Sequence, residues 1–334
     1  MSNKHTNDSG RNEKFSRNFM LEEFLKKLNV ELWLSEKEII KEQAIEFQSP
    51  VVLLMGPMRS GTTLFMQWIG NTGLCACPTN LVSRFYHAPI IGAKIQLLLT
   101  DPRFNFRNEL GEFSQASKYE SENGKTRGVL APNEFWYFWR RFLAEPSRDV
   151  WTDDELQVTM DVPTMKAELS GLMDVFQKPF AAKGLLFNYN IPFLDAILDN
   201  VLFVQLVRDP AANVASVLDA RKRQLGSEKA WYSFKIPEYE RLKDLDAITQ
   251  CAGQVHYINK AVTKGMSKVS EDRKLVVQYE DFCANPREFF TKLTAKLGLS
   301  SSSYNGPDGF KPTRDKDLPK QSEINKALAN FCLE

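Results

Sequence analysis

Val51-Val52-Leu53-Leu54-Met55 is an unbroken apolar run with no polar alternate position. A strand apolar on both faces belongs in the middle of a sheet covered by helices. Before it, Leu21, Phe24, Leu25 and Leu28 recur at helical spacing, which predicts a helix over 17–30. A second helical stretch is expected at 36–47, ended by Ser49-Pro50. After the run, 56–61 reads as a turn and 62–69 as the start of a helix. The segments 181–187 and 201–207 read as two further buried strands, followed by helical runs at 191–198 and 210–223. One long helix is expected over 237–268. A short strand follows at 274–278, then a helix over 286–297 that stops at Gly298. Alternating strands and helices imply an α/β fold with a parallel sheet and right-handed crossovers. Residues 81–181 fit that alternation poorly and are expected to form a helical cap, and 300–303 a loop.

Composition narrows the class. Of 334 residues, 43% are hydrophobic and 25% charged, which is ordinary for a globular chain. Residues 1–16 are polar and are expected to form a disordered tail ahead of a single domain at 17–334. They lack the apolar core of a signal peptide. The most apolar stretch, 90–99, is cut by Lys94 and Gln96 and falls short of the ~20 apolar residues a spanning helix needs. Lys and Arg total 43 against 42 Asp and Glu, so no global field favours nucleic acid or an anionic membrane. Any anion site must be local. Five scattered cysteines without a CxxC pair read as structural thiols in a reducing cytoplasm, Cys75 and Cys77 on a strand. No metal site is expected, because His5, His87 and His256 have no ligand spacing to a partner.

The chemistry begins at Gly56-Pro57-Met58-Arg59-Ser60-Gly61-Thr62-Thr63, which joins a buried strand to a helix. In that geometry backbone N–H groups converge at the positive end of a helix dipole and suit an anion. Gly56 and Gly61 match the two glycines of the triphosphatase loop GxxxxGK[ST]. Thr62 stands where its lysine should be, and the basic residue is Arg59. The usual lysine reaches β- and γ-phosphates, so its loss favours a nucleotide with one phosphate at the 5' position.

A second element is the strand 201–207 ending in Arg208-Asp209-Pro210, with Ser216 eight residues after the arginine. Pro210 suits a first helical turn and Asp209 can cap it. Arg208 therefore sits at the carboxyl end of a central strand, where open α/β sheets bind ligands. This pattern resembles the 3'-phosphate site of the sulfotransferases that use 3'-phosphoadenosine 5'-phosphosulfate (PAPS). The loop at 57–63 is similar to their 5'-phosphosulfate loop in its arginine-bearing form, seen in Golgi and bacterial relatives. The stretch Tyr279-Glu280-Asp281-Phe282, then Pro286 and Leu297-Gly298, resembles a third family motif.

The resemblance implies a P-loop-type parallel sheet flanked by helices, with 81–181 as a largely helical insertion over the acceptor site. It implies PAPS as co-substrate and 3'-phosphoadenosine 5'-phosphate (PAP) as product, with no metal. It places Arg59, Ser60, Gly61, Thr62 and Thr63 on the 5' side, Arg208 and Ser216 on the 3'-phosphate, and Tyr279 beside the nucleotide. Arg221, with Arg223 as rival, is the candidate for the arginine that in the family follows the serine. Lys183 resembles the lysine that stabilises the transition state, although the usual Lys-Thr-Pro context is missing.

Sulfuryl transfer also needs a base for the acceptor proton. The glutamate that relatives carry about twenty residues after the loop is absent, since this chain reads Pro78-Thr79-Asn80-Leu81. His87 and Glu134 are the candidates; an imidazole titrates near neutral pH. An acidic phenol as acceptor would need no strong base. The plainer readings are a structural histidine and a helix-capping carboxylate. Glu134 is expected to open a helix with Tyr137 and Arg141 on its face, and Phe135, Phe138, Trp139 and Phe142 to be core. The acceptor is left open as a small molecule, carbohydrate or lipid that offers a hydroxyl or an amine, with no nucleic acid partner and no stable membrane insertion. Two alternatives remain: a kinase or triphosphatase with an altered loop, whose magnesium would need Asp209, and a non-catalytic nucleotide-binding protein of the same fold.

Overall fold

The structure, a computed structural model, describes residues 15–43, 46–114, 118–122, 124–145, 147–300, 303–311 and 320–332. Of the tail expected at 1–16, residues 1–14 lie outside the described residues, whereas Phe15 is buried beneath Lys125. Within the expected loop at 300–303, residues 301 and 302 lie outside them too.

α1 (Phe19–Lys41) starts at Asn18, whose side chain accepts from the Leu21 N–H. The helix expected at 17–30 and the start of the one expected at 36–47 are this single helix, which ends at Lys41, because no Gly or Pro interrupts the chain between them. β1 (Val51–Met55) leads through the turn into α2 (Thr62–Asn71). The expected cap at 81–181 holds α3 (Pro89–Thr100), the short hairpin β2 (Ser121–Glu122) and β3 (Lys125–Thr126), α4 (Trp136–Arg140), α5 (Asp153–Thr159) and α6 (Val162–Phe176). β4 (Phe180–Lys183) is shorter than the strand expected at 181–187, since a 3₁₀ turn follows at Leu185–Phe187. Then come α7 (Ile191–Ile197), β5 (Val201–Val207) and α8 (Pro210–Leu225). The helix expected at 237–268 is two, α9 (Tyr239–Leu242) and α10 (Ala247–Met266). Asp246 divides them by accepting from the N–H groups of Ile248 and Thr249. β6 (Lys274–Gln278), α11 (Tyr279–Ala284), α12 (Pro286–Lys296) and α13 (Gln321–Cys332) complete the chain, the last of them unforeseen.

The four long strands form one parallel sheet in the order β4-β1-β5-β6. β1 is buried throughout, as its unbroken apolar run requires. Val51, Leu53 and Met55 join one apolar cluster with side chains of α6, α7, α8, α10 and α13. Val52 and Leu54 join the opposite cluster with α2, α11 and α12. Each such buried side chain is worth ~1.5–3 kcal/mol, so the strand fixes the frame that carries the site. The chain passes from β1 to β4 on one side and then to β5 on the other, which puts the topological switch point at the carboxyl end of β1.

Candidate functional site

Every strand of the sheet delivers a polar group at its carboxyl end. β1 runs into the turn with Arg59, β4 ends in Lys183, β5 runs into Arg208 and β6 into Tyr279. The turn is held from three sides. Asn188 accepts from the Gly56 N–H at 2.9 Å and donates to its carbonyl at 2.8 Å. Asn213 donates to the Met58 carbonyl at 2.8 Å, and Arg208 Nη1 to the Arg59 carbonyl at 2.9 Å. Gly56, at φ 137°, lets the turn lie so close to β5 that a β-carbon would stand 2.7 Å from the Leu206 carbonyl oxygen. Gly61, at φ 100°, is the residue just before α2, and a β-carbon there would run into the Tyr279 ring. Arg59 itself holds a left-handed φ of 65°, a strained setting for a residue with a side chain.

A cavity of about 380 Å³ opens above these strand ends. Arg59, Gly61, Thr62, Thr63, Arg208, Tyr279 and Glu134, all singled out in the sequence, line it. The Arg208 guanidinium stands 4.9 Å from the Tyr279 ring centre. Burial and the nearby Arg59 charge pull the Arg208 pKa down, and the Tyr279 side chain opposes them. Two guanidiniums at the amino end of α2 form a setting that an anion stabilises. Lys311 adds a third cation to the lining, and Glu134 is its one carboxylate among the described residues.

Ser216 does not line the cavity. Its hydroxyl accepts from Arg59 Nε at 3.1 Å and so orients that guanidinium. Ser60 is fully buried, with its hydroxyl turned toward Gly56. Arg221 departs from its expected place: it is buried, donates to Gln250 Oε1 and the Glu228 carbonyl, and stacks over Trp231. It holds the segment after α8. The rival Arg223 pairs with Asp219 on the surface.

Lys183 is 4% exposed, and its ammonium donates to Thr63 Oγ1 at 2.8 Å and Glu134 Oε1 at 3.0 Å. Glu134 does not open a helix: Phe135 follows in a left-handed conformation, and α4 begins at Trp136. This bend turns Glu134 toward Lys183, while Arg141 pairs with the buried Glu168 instead. The Trp136 indole N–H donates to Glu134 Oε2. Burial alone would raise the Glu134 carboxyl, but Lys183, Trp136 and Arg59 outweigh it and hold it below the ordinary range. The convergence is tight. A β-carbon added at Gly124 would stand 3.6 Å from Thr63 Oγ1, 3.8 Å from Arg59 Nη1 and 3.9 Å from Glu134 Oε1.

His87 lies elsewhere, edge-on to Trp33 and Tyr86. Burial and the Arg141 charge push its pKa down to about 4. Asp209 caps α8 by accepting from the Ala212 N–H, and among the described residues no cluster could hold a metal ion. Phe135, Phe138, Trp139 and Phe142 are core. The cysteines other than Cys332 are buried free thiols, Cys77 pushed by burial to about 12. Among the described residues no helix is long and apolar enough to cross a membrane. Sequence reading missed Asn188, Asn213, Tyr232, Ser233 and Lys311. They lie in loops or on a helix face without periodic signal.

The family profile that matches, over residues 50–303, is that of the sulfotransferase family. Two similar solved structures are sulfotransferases STF9 from Mycobacterium avium and STF1 from Mycobacterium tuberculosis H37Rv. The first is 15% identical at a TM-score of 0.54, over 92% of this chain and 73% of that one. The second is 16% identical at a TM-score of 0.56, over 97% of this chain and 88% of that one. Both likenesses concern the fold. No curated protein matches the chain.

Proposed function

Because this chain belongs to the sulfotransferase family, we propose that it transfers a sulfuryl group from PAPS to a hydroxyl acceptor. The observation that carries this reading is the meeting of Lys183, Glu134 and Thr63 beside the Arg59–Arg208 pair, at the carboxyl ends of three adjacent strands. PAPS supplies an activated sulfuryl group on its 5'-phosphate and a second anion at the 3' position. Arg208 takes the 3'-phosphate, while the N–H groups at 59–63 and the Arg59 guanidinium take the 5' side. Tyr279, packed on Gly61, bounds the nucleotide between them.

The acceptor oxygen attacks sulfur in line, and the bond from sulfur to the 5'-phosphate oxygen breaks. Glu134 takes the acceptor proton; its carboxyl is ionised at neutral pH because its neighbours hold its pKa low. Arg59 and Lys183 stabilise the charge that grows on the leaving oxygens, a contribution of several kcal/mol for groups fixed in advance. Ser216 orients Arg59 through its 3.1 Å bond. His87 has no part in this reading: it faces Trp33 and Tyr86. Asp209 is engaged as a helix cap, which disfavours the magnesium-dependent alternative.

Incubation of the chain with ³⁵S-labelled PAPS and a metabolite extract tests the reaction. Label should move into acceptors with matching release of PAP, and Glu134→Gln should slow both about 10²–10⁴-fold. Release of inorganic sulfate alone, equal in wild type and variant, would reject the reading.

A further inference from the structure

A groove of about 670 Å³ lies between α1, the turn at 80–84 and the segment 126–137. Leu21 and Leu25 of α1 form one wall, and Leu81, Phe113, Val129 and Tyr137 complete its apolar lining. α1 precedes residues 50–303, so this wall stands outside the stretch that the family profile matches. Met20 and Phe24, each beside one of the lining leucines, are 78% and 64% exposed, so apolar surface continues outward along α1. Contiguous apolar surface left open to water marks a place where something binds.

The groove is formed in advance. Asn29, buried in α1, ties that helix to the turn. Its amide donates to the Arg84 carbonyl at 2.8 Å, and its oxygen accepts from the His87 N–H at 2.8 Å. Tyr86 packs against Tyr137 with ring centres 5.3 Å apart.

The uncharged polar side chains of the lining are engaged within the protein. Asn80 donates to the Gly128 carbonyl at 3.0 Å and accepts from Asn133 at 2.9 Å. Thr126 Oγ1 donates to the Pro132 carbonyl at 2.7 Å, and the Asn133 oxygen accepts from the Phe135 N–H at 3.0 Å. Arg84 and Arg127 are exposed, which keeps their charged heads in water. A peptide or sugar in the groove would therefore leave polar groups of its own unpaired, at a cost for each one buried. An alkyl chain has none to satisfy, and each methylene gains from the contact.

The groove meets the proposed transfer site at α4. Tyr137 lines both the groove and the space enclosed by Glu134, Trp136 and the aromatic wall at 231–234. Asn133 lines the groove, and the next residue, Glu134, lines the anion cavity. A chain lying along Leu21, Leu25 and Phe113 thus leads past Tyr137 to the carboxylate.

We infer that the acceptor is a long-chain aliphatic alcohol whose alkyl chain occupies this groove and whose hydroxyl meets Glu134 beyond Tyr137. This deepens the proposed function and rests on it. The alcohol oxygen forms the new bond to sulfur, the bond from sulfur to the 5'-phosphate oxygen breaks, and the hydroxyl proton passes to Glu134.

The test compares 1-butanol, 1-hexanol and 1-decanol as acceptors of ³⁵S from PAPS, with PAP binding followed separately by calorimetry. kcat/KM should rise about threefold for each added methylene. Phe113→Ala, at a surface position, and Leu25→Gln, at a half-buried one, should each lower the decanol-to-butanol ratio about tenfold. PAP affinity should stay within about twofold in both. Labelling that ignores chain length, no alkanol labelled, or an unchanged ratio in both variants overturns the inference, while PAP still binds and extract acceptors are still labelled. Failure to bind PAP rejects the sulfuryl-transfer reading and this inference with it.

Discussion

Arg208 donates from Nη1 to the carbonyl oxygen of Arg59 at 2.9 Å, so the two arginines that the sequence assigns to opposite ends of one nucleotide share a single cavity. The bond fixes the turn through its backbone and leaves the Arg59 side chain for Ser216 and the cavity. One residue thus shapes the loop that carries the other.

Glu134→Gln removes the proposed base but keeps the shape. Turnover should fall about 10²–10⁴-fold while PAP binds as before. Steady-state kinetics beside calorimetry separate the two; retained turnover would move the base elsewhere.

Lys183→Met should lower turnover by about a hundredfold or more. It should also move the pH profile. With Lys183 present, the Glu134 carboxyl lies below its ordinary value of 4.5, so the acid limb of kcat/KM falls below that pH. Loss of the ammonium leaves burial as the dominant influence, the carboxyl pKa rises, and the limb moves to higher pH. An unmoved limb would uncouple the pair.

Gly61→Ala forces a β-carbon into the Tyr279 ring at a φ of 100°. The backbone strain alone costs ~1–3 kcal/mol, and the clash adds to it. Denaturant unfolding should show the loss, and PAP binding should fail. Adding Tyr279→Ala should restore part of the stability, since it relieves the clash and leaves the strain.

Arg221→Ala should cost about 2–4 kcal/mol of stability, from the lost buried packing and the bonds to Gln250 and Glu228. Its preference for PAP over 5'-AMP should persist, because Arg221 reaches no part of the anion cavity lining. A lost preference would return Arg221 to the phosphate.

His87 is neutral in the folded chain down to pH about 4, whereas an unfolded chain protonates it near 6.5. Its folded pKa is depressed, so the unfolded state binds more protons between those values and stability falls as pH drops through that window. His87→Phe should flatten this part of the stability curve and leave turnover unchanged. A pH-independent difference between the two proteins would contradict the assignment.

Much of this was legible in the chain because the central strands are apolar on both faces. β1 and β5 need no tertiary information to be recognised, and the residues that follow them, Arg59 and Arg208, inherit their position at the carboxyl end of the sheet. Glu134 was found as a residue but misread in its setting. Helical spacing grouped it with Arg141, and the left-handed Phe135 breaks that spacing. Arg221 was misplaced for a related reason: spacing after Ser216 says which arginine is near in sequence, not which way the α8 face turns. The aromatic wall at 231–234 left no trace, because it belongs to no periodic element and is set by bonds from Gln224 and Gln254.

Calorimetric titration of wild type and Arg208→Ala with PAP, 5'-AMP and magnesium ATP tests most directly whether one nucleotide is held at its two phosphates by Arg59 and Arg208. One PAP should bind per chain, far more tightly than 5'-AMP or magnesium ATP, and Arg208→Ala should erase most of that difference. Equal affinity of the wild type for PAP and 5'-AMP would contradict it.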